Sequence, residues 1–169
     1  MSLTFVLGGA RSGKTSYALR EAWKRPGNRH VMIATAQAHD AEMAERIARH
    51  RAERGEGWTT VEAPLDLAGA VAALGASDVA VIDCLTLWLT NHLLAEADLG
   101  QQVAELTRAL AASPGALYVV SNEVGQGIVP DNALARRFRD EAGWMNQAVA
   151  AAADRAVLVA AGLPLVLKG

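Results

Sequence analysis

The chain has 169 residues, 51% hydrophobic and 20% charged, a composition that excludes disorder and suits one domain (1–169) with a real core. Its formal net charge of −2 gives no electrostatic case for a nucleic-acid partner. No uncharged run approaches a membrane span, the N-terminus enters an apolar run at once, and a lone cysteine, Cys84, excludes an internal disulfide. These features lead us to expect a cytoplasmic protein.

In chain order, the apolar run 3–7 predicts a strand, and a helix is expected over 14–23. Between them lies Gly8-Gly9-Ala10-Arg11-Ser12-Gly13-Lys14-Thr15, with the G-x-x-x-x-G-K-[ST] spacing of a phosphate-binding loop. Glycines let backbone N–H groups converge on an anion without Cβ clashes, and the following helix adds its positive dipole end. In this reading Lys14 reaches the β/γ-phosphates of a nucleoside triphosphate, and the Thr15 hydroxyl ligates Mg²⁺.

After a turn at Pro26-Gly27-Asn28 come a short buried strand (30–35) and a strong helix (40–54). Asp40 is placed to cap that helix, and Glu42/Arg46 and Glu45/Arg49 are i,i+4 pairs. A strand (59–62), a helix (65–74) and the most apolar strand (79–84) follow. Then come a helix (99–110) with Leu99, Val103, Leu106 and Leu110 on one stripe, a strand (117–121), a long helix (132–153), and two final strands (156–160, 164–167). This alternation predicts an α/β sheet covered on both faces.

Asp83 closes the apolar strand, where a phosphate-loop protein places its second Mg²⁺-side carboxylate; a strand-end aspartate also caps turns. Met43, Ile47 and His50 share the inward stripe of the helix 40–54. A histidine there is most often core, but Arg46, Arg49, Arg51 and Arg54 surround it. Clustered cations call for an anion, and phosphate meets that need. The same arginines keep the imidazole neutral and nucleophilic near pH 7. Ala34-Thr35-Ala36-Gln37 leaves a strand toward the sheet edge where open α/β sheets bind ligands. The polar, Gly-rich run from Ser121 to Pro130 is a candidate lid or substrate contact, or a plain long turn. Gly143, in mid-helix, is expected to pack closely against a neighbour. Cys84 reads as apolar packing, and His30, His39 and His92 have no metal-site spacing.

Together these segments resemble the bifunctional adenosylcobinamide kinase/adenosylcobinamide-phosphate guanylyltransferase family of cobalamin biosynthesis. The carrying residues are Gly8 to Thr15, Ile33 to Ala36, Glu42 to Arg51, Val81-Ile82-Asp83-Cys84-Leu85-Thr86-Leu87-Trp88-Leu89, and Ser121-Asn122-Glu123-Val124-Gly125 continuing to Pro130. The Gly-Gly-Ala-Arg-Ser-Gly-Lys form of the loop is far more specific than the generic motif. The resemblance implies a three-layer P-loop, RecA-like α/β fold with a mostly parallel central sheet. It implies phosphorylation of adenosylcobinamide by ATP or GTP. GMP then passes from GTP to adenosylcobinamide phosphate, giving adenosylcobinamide-GDP and pyrophosphate. His50 takes the position of the guanylylated histidine. Nucleotide contacts fall on Gly8 to Thr15, on Ala34, Thr35 and Ala36, on Arg51, Ala52, Glu53 and Arg54, on Glu62 and on Asp83. A homotrimer is implied. The chain departs from the pattern at Gly55-Glu56-Gly57, where a proline is expected. Two other readings fit the loop: a small-molecule kinase with a structural His50, and a non-catalytic nucleotide switch or recombinase-like module.

Overall fold

The computed structural model describes residues 2–37 and 57–169. The expected helix 40–54 lies outside the described residues, with Asp40, Glu42, Met43, Glu45, Ile47 and their neighbours. Among the described residues seven strands form one sheet: β1 (Ser2–Gly8), β2 (Arg29–Ala34), β3 (Trp58–Glu62), β4 (Asp78–Asp83), β5 (Ala116–Asn122), β6 (Arg155–Ala160) and β7 (Leu163–Lys168). Their order across the sheet is β3-β2-β4-β5-β1-β6-β7. All neighbouring strands run parallel except β7, which returns antiparallel along β6. The described helices are α1 (Lys14–Trp23), α2 (Leu67–Ala72), α3 (Leu85–Leu94), α4 (Leu99–Ala112) and α5 (Ala133–Ala152).

Side-chain alternation divides the strands between two cores. Val6, Met32, Val79, Val81, Tyr118 and Val120 face α1, against Tyr17, Ala18 and Ala22. Phe5, Ile33, Ala80, Ile82, Leu117 and Val119 face the opposite layer, with Leu67 of α2, Trp88 and Leu89 of α3, Leu106 and Leu110 of α4, and Met145 and Val149 of α5. The three layers are therefore α1, the sheet, and α2 to α5, the α/β arrangement expected from the strand–helix alternation.

Boundaries move by a residue or two, because pairing and capping set them. Asp66, Asp98 and Asn132 accept from backbone N–H groups three residues on and so start α2, α4 and α5. Two differences are larger. Helix α3 has no counterpart among the expected elements. It is buried on nearly every side, polar Asn91 and His92 included, so it shows no amphipathic period to read. Gly143 is not a close-packing position among the described residues: beyond its own helix, a Cβ built there meets nothing of them within 4 Å.

Candidate active site

The C-terminal edge of the sheet collects the chemistry. Glu62, Ala34 and Asp83 stand level on β3, β2 and β4. Asp83 is level with Val120, and Val120 with Val6, so one row crosses five strands just below the phosphate loop. Paired residues of parallel strands share a face. Val79 and Val81 alternate with Asp83 and pack with α1. The Asp83 carboxylate therefore emerges on the α1 side, where the loop enters its helix.

The loop is folded tightly upon itself. Arg11 (φ 54°) and Gly13 (φ 89°) take left-handed backbone, the latter as the N-cap of α1 without a side-chain cap. The Ser12 N–H donates to the Gly9 carbonyl (3.3 Å), and the Lys14 ammonium donates to the same oxygen (3.1 Å). The first turn of α1 closes through Tyr17 N–H to the Gly13 carbonyl (2.9 Å). Two neighbours brace the loop: the Glu123 N–H donates to the Gly8 carbonyl (3.0 Å), and the Gly162 N–H to the Ser12 carbonyl (2.8 Å).

Just beyond the row, at the strand ends, lies a buried polar network that the sequence did not reveal. The Cys84 N–H donates to Thr35 Oγ1 (2.9 Å), which donates to the Cys84 carbonyl (2.7 Å). Asn91 of α3 donates to the carbonyls of Thr35 and Pro64, both at 2.9 Å. Asn122 Nδ2 donates to Thr86 Oγ1 (2.6 Å), while Asn146 of α5 accepts from Ser121 Oγ (2.7 Å) and donates to the Asn122 carbonyl (3.2 Å). This network ties the ends of β2, β4 and β5 to α3 and α5. A buried Asn in an apolar helix was the available signal. Its partners were not readable, because they lie 27 and 56 residues away.

Cys84 reports on the electrostatics. Burial pushes its thiol up, the Asp83 carboxylate adds to that, and hydrogen bonding from Thr86 and Leu87 and the Lys14 ammonium oppose it. The fields of Lys14 and Asp83 thus meet at one point at the end of β4. The buried thiol is packing, as its apolar run suggested.

The structure brings Gly8 to Thr15, Ala34, Thr35, Ala36, Glu62 and Asp83 to this one edge. His50, Arg51, Ala52, Glu53 and Arg54 lie outside the described residues, as does His39. His30 packs between Trp23 and Trp58, and His92 packs edge-on to Trp88 beside the Leu65 carbonyl. Among the described residues no cluster of three or more His, Cys, Asp or Glu could hold a metal by itself. Thr15 and Asp83 offer one hydroxyl and one carboxylate, a hard-oxygen pair that suits Mg²⁺ shared with phosphate oxygens.

The family described as "Cobinamide kinase / cobinamide phosphate guanyltransferase" matches residues 4–167. The chain belongs to this family. The bifunctional adenosylcobalamin biosynthesis protein CobP of Pseudomonas aeruginosa is 47% identical over 167 residues, covering 97% of this chain and 96% of that protein. The corresponding CobU of Escherichia coli is 37% identical, covering 98% and 99%, and that of Salmonella typhimurium 38%, covering 98% and 99%. Solved structures share the fold at low identity. Flagellar accessory protein FlaH of Methanocaldococcus jannaschii superposes with a TM-score of 0.52 at 14% identity, covering 99% of this chain and 78% of that one. An ATPase of a bacterial type III secretion system gives 0.54 at 11%, covering 93% and 50%. The expected P-loop fold is thus the one found. As a member of the cobinamide kinase/guanyltransferase family the chain is an enzyme, a kinase and nucleotidyltransferase of cobalamin biosynthesis that uses nucleoside triphosphates. No described helix is long and apolar enough to cross a membrane.

Proposed function

We propose that this chain phosphorylates adenosylcobinamide with ATP or GTP and then transfers GMP from GTP through a covalent histidine, both within one cytoplasmic catalytic domain. The observation that carries the reading is the sheet edge, where the loop of Gly8 to Thr15 stands over the row of Glu62, Ala34 and Asp83. The loop amides and Lys14 hold the β- and γ-phosphates and stabilise the charge that develops there. Ala34, Ala36 and Glu62 line the nucleoside side of the edge, while Thr35, fully buried, supports them through its bonds to Cys84 and Asn91 rather than touching the nucleotide. Thr15 and Asp83 are the groups that would hold Mg²⁺, which supplies charge neutralisation on the phosphates.

In the first reaction the aminopropanol hydroxyl of adenosylcobinamide attacks the γ-phosphorus. The γ-phosphorus–bridging oxygen bond breaks, and the nucleoside diphosphate and the hydroxyl proton leave. In the second, the His50 imidazole attacks the α-phosphorus of GTP and pyrophosphate departs, leaving a phosphoramidate. A phosphate oxygen of adenosylcobinamide phosphate then attacks the same phosphorus, the P–N bond breaks, and neutral His50 returns. Arg51, Ala52, Glu53 and Arg54 complete the nucleotide site in this reading, and the assembly is a homotrimer.

The test is GTP labelled at the α-phosphate, incubated with the protein without acceptor. A base-stable, acid-labile label on the protein that disappears in His50→Asn is the expected result. Wild-type protein that takes no label while phosphorylating adenosylcobinamide would overturn the covalent route and leave a simple kinase.

A further inference from the structure

Strand β5 ends at Asn122, and the next residue, Glu123, is already hydrogen bonded to the phosphate loop at Gly8. The loop 123–131 therefore begins beside the phosphate loop. It does not collapse onto the sheet. Between it and α5 lies an open cleft of about 460 Å³, lined on one wall by Gly125, Gly127 and Val129 and on the other by Arg139, Gly143, Trp144 and Gln147. That volume is in the range of small-molecule sites. The cleft is amphipathic. Trp144 is 62% exposed and Val129 60%, beside the guanidinium of Arg139, the carboxylate of Asp140 and the amide of Gln147.

Gly143 is the second observation. Glycine weakens a helix interior relative to alanine, and beyond its own helix no atom of the described residues stands within 4 Å of where its Cβ would be. Packing among the described residues does not demand it. What its missing side chain provides is depth in the cleft wall, next to an indole that the fold leaves in water.

The cleft is also on the right side of the edge. Glu62, Ala34 and Asp83 lie on the α1 face, toward β3. Helix α5 packs its Met145 and Val149 on the opposite face. A nucleotide along that row leaves the α5 side open to the acceptor.

We propose that this cleft binds the corrinoid acceptor, a proposal that rests on the function given above. A flat macrocycle edged with methyl groups and amide arms matches it: Trp144 and Val129 take the apolar edge, while Gln147, Arg139 and the glycine backbones of the loop meet amides. The cleft holds one edge of the ring, with the aminopropanol arm running past Glu123 to the phosphate loop.

The experiment compares wild type with Gly143→Leu and Trp144→Ala, with Gly143→Ala as a test that the helix accepts a side chain. Cobinamide binding is followed by corrinoid absorbance, GTP binding by calorimetry, and KM for adenosylcobinamide in the kinase assay. Both variants are expected to raise cobinamide Kd and KM at least tenfold and to move the GTP Kd less than twofold. Folded variants that bind cobinamide like wild type overturn the cleft assignment while wild-type turnover keeps the function. A parallel rise in GTP Kd reassigns the cleft to nucleotide and also overturns it. Wild type that neither binds nor phosphorylates cobinamide sinks the function and the cleft together. Should Gly143→Leu not fold, Trp144→Ala decides.

Discussion

The two glycines that open the phosphate loop are adjacent, yet their replacement by alanine should fail in different ways. Gly8 is the last residue of β1, in register with Val159 of β6. A Cβ there would sit 2.5 Å from Ser12 Oγ and 2.6 Å from the Val159 carbonyl oxygen. The serine hydroxyl can rotate away, but the carbonyl belongs to the sheet. Relief requires β1 and β6 to part at the edge, an overpacking cost of about 1–3 kcal/mol. At about 2–4 °C per kcal/mol for a chain of this size, Gly8→Ala should melt about 2–12 °C below wild type. At Gly9 a Cβ meets nothing within 4 Å among the described residues, so Gly9→Ala should keep its stability within about 0.5 kcal/mol. Its methyl group instead stands beside the carbonyl that holds Lys14, where phosphate must approach. Its nucleotide Kd should rise at least tenfold. Thermal melts followed by circular dichroism, paired with nucleotide titrations, read both effects. The reasoning is refuted if Gly8→Ala melts with wild type, or if Gly9→Ala is destabilised as much as Gly8→Ala.

Asn91→Ala leaves the Thr35 and Pro64 carbonyls without their side-chain donor and should cost about 2–4 kcal/mol in urea unfolding; a loss under about 1 kcal/mol would show that water replaces the amide. Arg29 grips Asp78 through both oxygens (2.6 and 3.2 Å) and holds its carboxyl below the ordinary 3.8, with the Gly75 N–H helping and burial opposing. A lowered folded-state value means stability that is present above the unfolded value and lost as pH falls through the folded one. Wild type should therefore exceed Asp78→Asn in stability at pH 6 and lose that margin toward pH 3, the margin shrinking with salt because Arg29 is half exposed; a margin constant with pH contradicts this. Cys84, buried and with its thiol pushed up, should react with a disulfide reagent only on unfolding, and rapid labelling of native protein would place the thiol at the surface.

What the sequence made legible was encoded locally. The phosphate loop announces itself because glycine spacing and lysine are covalent neighbours, and the strands because apolar runs of the right length are bounded by turns. Asp83 could be placed at a strand end from the run Val79-Ala80-Val81-Ile82 alone. Its alignment with Ala34 and Glu62 could not, since strand order and register are set by pairing between segments dozens of residues apart. Helix α3 escaped for the complementary reason: it is buried on nearly every side and carries leucines even on its less buried stripe, Leu87 and Leu94, which erases the period that betrays a surface helix. Gly143 was misjudged because a helical glycine marks close approach in most folds, and nothing local distinguishes a position that makes room for a neighbour from one that makes room for a ligand.

That distinction is what gives the edge its logic. The phosphate loop is braced on one side by Glu123 and on the other by Gly162, so backbone hydrogen bonds hold it from both sides. A rigid loop cannot move the γ-phosphorus and the α-phosphorus in turn to one acceptor position. Two attacks at different phosphorus atoms then require either a sliding nucleotide or a second nucleophile that meets the α-phosphorus where it lies. A histidine carried on a separate segment satisfies the second option without disturbing the braces. In the proposed scheme it would also separate the reactions in space, with the hydroxyl arriving from the β5 side and the guanylyl group taken up elsewhere and returned. On this reasoning, weakening the Glu123 side of the loop should harm the kinase step more than self-guanylylation, because the first depends on an acceptor led past Glu123 and the second only on bound GTP.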